Sequence, residues 1–243
     1  MRLDSWLTEN GFFTSRSRAR QAIDAGAVRV NGAVTTKPAL LITENDVVEA
    51  DREVLRFVSK DGDKMEKAIR AFNLGFKDKT VIDVGSSTGG FTDCALQYGA
   101  SKVFAVSLGP SRFVQDLRDH PAVACIEGAD IRDLPVDAVG GGVDWILLDA
   151  SVVNLRLLFE VMPRLMLPGA GLLALFVPQF EQEKSTHHHQ GGLAREARLQ
   201  QQILKKMERY AADYGLKAKG IVPADAETGK GQAFFLWLVF SEA

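Results

Sequence analysis

The sequence predicts an α/β protein, with a mostly parallel seven-stranded sheet of Rossmann type that has helices on both faces, preceded by a small α+β domain. Three observations predict it. From residue 79 onward, short apolar runs alternate with helical patterns, as strands buried on both faces do. A glycine-rich turn follows the first of these runs directly. The first 40 residues differ from the rest in being locally basic, and an acidic and then polar stretch sets them apart.

With 243 residues, 46% of them hydrophobic and 25% charged, the chain suffices for one core of about 180 residues and a small satellite. The boundary is expected in the polar, glycine-containing junction FVSKDGDK (57 to 64), giving domains 1–60 and 61–243. The start MRLDSWLTENG has an early acid and no apolar run. LLALFV (172 to 177) and AFFLWLVF (233 to 240) fall far short of the roughly 18 residues that suggest a membrane span. A soluble, cytoplasmic protein with no membrane partner is therefore expected. Two cysteines, Cys94 in a helix and Cys125 in a strand, lack the spacing of a metal site or disulfide framework and read as core thiols. A net charge of −2 gives no global attraction to nucleic acid, so RNA binding needs a local basic cluster.

The opening stretch supplies one. Arg2, Arg16, Arg18, Arg20, Arg29 and Lys37 stand against Asp4, Glu9 and Asp24. Leu3, Trp6 and Leu7 have the spacing of a buried helical stripe. A second helix is predicted from Ser15 as N-cap through Ala19, Ala22 and Ile23 to a stop at Gly26, with Arg16 and Arg20 on one face. Val28-Arg29-Val30 alternates as a strand and meets Asn31-Gly32, a two-residue hairpin signal.

In the second domain the predicted strands are TVIDV (80 to 84), KVFAVS (102 to 107), AVACIEG (122 to 128), WILLDA (145 to 150) and LLALFV (172 to 177). After a long amphipathic helix at about 195 to 214, KAKGIV and GQAFFLWLVF form a closing hairpin whose last strand runs antiparallel.

The sharpest chemical signal is DVGSSTGGFTD (83 to 93), between the first buried strand and a helix. Glycine permits positive φ and close ligand approach, and an acid at a strand end can meet a cationic or hydroxyl-bearing ligand, so this reads as a nucleotide-type cofactor loop. Ser87 occupies the place of the second glycine in GxGxxG, which argues against a nicotinamide oxidoreductase. A turn that merely packs strand against helix is the structural alternative. His187, His188 and His189 lack an acid or cysteine at a recognised spacing, so no metal is expected.

In order and wording these motifs resemble the TlyA (hemolysin-like) family of ribosomal RNA methyltransferases, which joins an S4-like RNA-binding domain to an FtsJ-like class I methyltransferase domain. RLDSWL, SRSRARQAIDAGAVRVNG and KPALLI carry the resemblance in the first domain; STGGFTDCALQYGA, LLDASVVNL and PQFE carry it in the second. The resemblance implies S-adenosylmethionine as cofactor, with Asp83, Gly85, Ser86, Ser87, Gly89, Gly90, Ser107 and Asp130 around it. It also implies ribosomal RNA or a ribosomal subunit as partner, with Arg2, Ser15, Arg16, Arg18 and Lys37 on the RNA face.

The family's 2'-O chemistry uses a Lys-Asp-Lys-Glu tetrad. Here the first lysine aligns with Lys64 and the aspartate with Asp149, but the second lysine falls at Val177 and the glutamate at Phe234. The acid expected after the second strand for the cofactor's ribose is Ser107, which predicts weak or lost cofactor binding. Lys184, the three histidines and Lys230 are the available substitutes. Two readings follow: a pseudo-methyltransferase that binds RNA, and an active enzyme using Lys64 and Asp149. A lytic role finds no strongly amphipathic or membrane-spanning segment.

Overall fold

A computed structural model of the chain describes residues 1–13, 15–51, 56–110, 112–150, 155–177, 193–224 and 233–241. It divides into two compact units, Met1–Lys60 and Asp61–Ala243.

In the first unit, α1 (Leu3–Glu9) and α2 (Arg16–Asp24) pack on a three-stranded antiparallel sheet. Its strands β1 (Val28–Val30), β2 (Ala33–Val34) and β3 (Val48–Ala50) lie in the order β2-β1-β3. Leu3 and Leu7 from α1 meet Ala19, Ala22 and Ile23 from α2 over Val28, so the predicted stripes do form the core. Ser15 caps α2, its Oγ accepting from the Arg18 amide at 3.3 Å, which satisfies a donor the helix start leaves open. Asn31 and Gly32 take φ of +53° and +77°, as a two-residue hairpin turn requires. The Asn31 side chain then stitches the turn to the following segment, donating to Asp46 and accepting from the Val47 amide.

The second unit is built on a seven-stranded sheet. Its strands are β4 (Thr80–Val84), β5 (Lys102–Ser107), β6 (Val123–Glu127), β7 (Val143–Asp149), β8 (Met166–Phe176), β9 (Leu216–Pro223) and β10 (Phe234–Phe240). The order is β6-β5-β4-β7-β8-β10-β9, with β10 inserted antiparallel between β8 and β9 and the pairs from β6 to β8 parallel. This is the predicted Rossmann-like methyltransferase topology. The helices are α3 (Lys60–Phe72), α4 (Gly90–Gln97), α5 (Gln115–Arg118), α6 (Arg156–Phe159) and α7 (Leu193–Ala212).

Two expectations need correction. The junction at 57 to 64 is only half a connector, because α3 starts at Lys60 and runs 13 residues. Its polar first turn, with Asp61 and Asp63 near the positive end of the helix dipole, hides the helix from a reading by apolar period. The fifth strand also starts earlier than LLALFV, at Met166, which pairs with Val143; the proline- and glycine-bearing residues after it are passed over by a register shift before Gly171 pairs with Trp145. Cys94 is fully buried, whereas Cys125 lies half-buried on the edge strand β6.

Strand alternation sorts the sheet into two faces. Ile82, Ile146, Leu148, Ala174, Phe176, Phe234 and Leu236 join one cluster with Phe159 of α6 and Met207 of α7. The opposite face carries Trp145, Phe235 and Trp237, packed on Phe76, Phe91 and Phe72 from the α3 and α4 side. Which face a residue joins decides which chemistry it can reach.

Candidate functional site

The strand order reverses direction between β4 and β7, and at that point the carboxyl ends of the parallel strands open a cleft of about 460 Å³. Val84, Gly85, Ser87, Ser107, Asp130 and Asp149 are among its lining residues. A smaller recess of about 20 Å³ adjoins it, shares Gly85, Ser87 and Asp149, and adds Asp61, Asp83, Ser86 and Gly90. The structure thus brings together seven of the eight residues expected around a cofactor. Gly89 lines neither space. It caps α4 at φ +97°, and a Cβ there would come within 2.7 Å of Leu117 and 3.0 Å of Phe113, so its glycine serves packing. Ser87, standing where the fingerprint has glycine, is held at φ +47°, a left-handed conformation that costs a serine of order 1 kcal/mol.

Asp83 is 2% exposed, and its Oδ2 accepts from the Thr92 amide at 3.0 Å and the Thr92 hydroxyl at 2.6 Å. Burial pushes its carboxyl up to about 7, with Asp149 and Asp61 adding repulsion, against the two bonds from Thr92 that favour the charge. A cationic group arriving in the recess would favour loss of the proton from this carboxyl and meet the carboxylate it leaves.

At the other end of the cleft, both expected contacts are engaged within the protein. The Ser107 hydroxyl donates to the Gly109 carbonyl at 2.8 Å. Asp130 is held below the usual carboxylate range by Arg132, whose side chain grips both oxygens while its amide donates to Oδ1 at 2.9 Å. Arg164 fixes this turn, donating to the carbonyls of Leu134, Ile131 and Arg132.

Lys64, on α3, places its Nζ 2.9 Å from Asp61 Oδ1. Asp61 and Asp149 share the recess, so Lys64 approaches Asp149 through Asp61, a residue that sequence reasoning passed over although it lies one helical turn ahead. Thr92 and Arg132 were also missed, both being partners of residues that were identified. Val177 follows directly on Phe176, and alternation carries it to the face of Asp149, the α3 side.

Phe234 lies on the face of the sheet opposite Asp149. It is 7% exposed, pairs in register with Phe176 and packs with it toward α6 and α7, on the face opposite Lys64. A one-residue step along a strand changes face, so alternation carries Ala233 to the side of Asp149 and Val177; its carbonyl continues the ladder by accepting from the Ala224 amide. Lys184, His187 to His189, Lys230 and the segments SVVN and PQFE lie outside the described residues. Among the described residues, no group of three or more metal-ligating side chains occurs.

In the first unit, the basic cluster is organised around Asp4. Arg2 Nε and Nη2 lie 3.0 and 3.1 Å from its oxygens, Arg16 Nη2 at 3.2 Å and Arg20 Nε at 2.8 Å. The Asp4 amide donates to the Pro38 carbonyl, which brings the backbone next to Lys37 to the same corner. Arg18 points elsewhere, donating to the Phe57 carbonyl at 3.4 Å, and the Ser15 oxygen is occupied as a cap.

No helix among the described residues is long and apolar enough to cross a membrane. An FtsJ-like methyltransferase model matches residues 57–239, and an S4 domain model matches residues 1–48. The chain is 36% identical over 236 residues to a Bacillus subtilis protein, YqxC, described as a candidate rRNA methyltransferase, covering 97% of this chain and 84% of that one. It is 30% identical over 239 residues to the 16S/23S rRNA (cytidine-2'-O)-methyltransferase TlyA of Mycobacterium tuberculosis, covering 98% and 89% of the two chains. A solved structure from Streptococcus thermophilus, described as a candidate hemolysin, superposes with a TM-score of 0.72 at 31% identity, covering 100% of this chain and 89% of that one. With its N-terminal S4 domain and FtsJ-like methyltransferase domain, the chain belongs to the TlyA (hemolysin-like) family of ribosomal RNA methyltransferases.

Proposed function

We propose that this protein binds ribosomal RNA or ribosomal particles in the cytoplasm as a pseudo-methyltransferase, keeping the family's docking surfaces and lacking its full 2'-O-methylation set. Val177 carries the reading. On the face that holds Asp149 and the helix of Lys64, the two remaining positions are Val177 and Ala233, and neither side chain can accept a proton or orient a hydroxyl. Lys64, meanwhile, is paired with Asp61.

A volume of about 460 Å³ lies within the range of small-ligand sites, so the cleft fits a group the size of S-adenosylmethionine. Gly85, Ser87 and Asp149 would hold it toward the recess, with Ser107 and Asp130 at the opposite end. When bound, the cofactor supplies a methyl group on a sulfonium leaving group. The residues at the Ser107 end would have to exchange internal bonds for cofactor bonds, so weak binding is expected.

The alternative is an active 2'-O-methyltransferase in which Lys64 and Asp149 position the ribose hydroxyl; the open cleft beside Asp149 favours it. Two measurements separate the readings: calorimetry with S-adenosylmethionine, and transfer of tritiated methyl groups to ribosomal particles. The proposal expects affinity weaker than micromolar and no transfer above background. Micromolar binding together with transfer that is lost in Lys64→Ala would overturn it in favour of the enzyme.

A further inference from the structure

We propose that Asp4 is a positioning residue for RNA binding, holding Arg2, Arg16 and Arg20 as a preformed clamp for a backbone phosphate. The proposal rests on the first domain being the RNA-binding unit, and it concerns how that unit achieves affinity.

The Asp4 side chain has no solvent exposure, and three guanidiniums bond its carboxylate. They come from two helix starts and a helix interior, 12 and 16 residues from Asp4 in the case of Arg16 and Arg20, and all reach one carboxylate. Each of them stays about half exposed, at 41%, 52% and 51%. One negative charge therefore gathers three positive ones, leaving a local excess of two. Four hydrogen bonds to Asp4 use a minority of the about fifteen N–H donors that three guanidiniums carry.

Free arginines would repel one another and sample many rotamers, and ordering them on binding would cost affinity. Bonded to a common carboxylate, they are held close together while each stays about half exposed. Planar forks held in this way match the tetrahedral oxygens of a phosphodiester. The occupant is an RNA phosphate, and the contact supplies affinity with little sequence choice.

The test is filter binding of the full chain to purified ribosomal RNA over a salt series. Asp4→Asn raises the net charge by one, so charge alone predicts tighter binding and a steeper salt dependence. Positioning predicts the opposite, about tenfold weaker binding, with recovery in Asp4→Glu. Because Asp4→Asn leaves three arginines without their counter-charge and could unfold the domain, Arg20→Lys is measured beside it. This variant keeps the charge at a half-exposed site but loses the Nε–H that bonds Asp4. It is expected to bind several-fold more weakly with an unchanged salt slope; wild-type affinity in Arg20→Lys, or tighter binding in folded Asp4→Asn, would overturn the proposal. Failure of the underlying reading has a separate signature. If Arg16→Gln with Arg20→Gln leaves both affinity and salt slope unchanged, where loss of the one clamped phosphate should reduce the slope by about 0.7 to 0.9, this corner is not on the RNA face at all.

Discussion

Replacing Asp83 with asparagine should change the pH dependence of stability in a calculable way. The carboxyl is fully buried and its folded value is raised from 3.8 to about 7, chiefly by burial. The folded protein therefore holds this proton more tightly than the unfolded chain, and raising the pH favours unfolding. The penalty is absent well below 3.8, grows as pH rises through the interval up to about 7, and is constant above it. The full rise corresponds to about 4 kcal/mol, of which about 2 to 3 kcal/mol accrues between about pH 5 and pH 8. Asparagine can still accept from Thr92 through its carbonyl oxygen but does not titrate. Urea denaturation of wild type and Asp83→Asn, followed by tryptophan emission, measures the difference; Trp145 and Trp237, two of the three tryptophans, belong to the second unit. The variant should gain about 2 to 3 kcal/mol on wild type as pH rises from about 5 to 8, other titrations cancelling between the two proteins. Parallel curves over that range would refute the assignment of a buried, neutralising carboxyl at the base of the recess.

Val177→Lys combined with Ala233→Glu should begin to restore methyl transfer to ribosomal RNA, measured with tritiated cofactor. Val177→Lys with Phe234→Glu should not, and should lower stability by several kcal/mol, because that carboxylate would be buried among Phe176 and its neighbours. Equal transfer by the two double variants would show the strand alternation argument to be wrong. Ser107→Asp should tighten S-adenosylmethionine about ten- to thirtyfold in calorimetry, by offering the ribose a charged acceptor; unchanged affinity would mean the ligand does not reach the end of β5. Gly171→Ala should cost about 2 kcal/mol or more in denaturant titration, since its Cβ would lie 2.3 Å from the Trp145 ring. A neutral result there would require the ring to have room to turn.

Much of the architecture can be read from residue order. Buried parallel strands must be apolar on both faces, so TVIDV, KVFAVS and LLALFV announce themselves, and Asn31-Gly32 can hardly be anything but a tight turn. The cofactor-type loop is equally visible, because a strand, a glycine-rich turn and a helix start follow one another locally. α3 is not visible in the same way: the acids of its first turn look like a linker until the sheet against which its apolar side packs is present.

What the sequence determined by itself is the set of local conformations and the identity of the chemical groups available. Tertiary structure decided which of them meet. Asp61 pairs with Lys64 by helical spacing alone, but it reaches the recess of Asp83 and Asp149 only because α3 lies over the sheet, and Asp4 collects Arg16 and Arg20 of α2 only once the helices pack. The face of a strand residue is the sharpest case. Phe234 and Ala233 are neighbours in the chain, and nothing in the local sequence says which face each will take. In the sheet, a period of two sends one toward α6 and α7 and the other toward the face of Asp149, so register, which only the folded sheet supplies, fixes the surroundings of each.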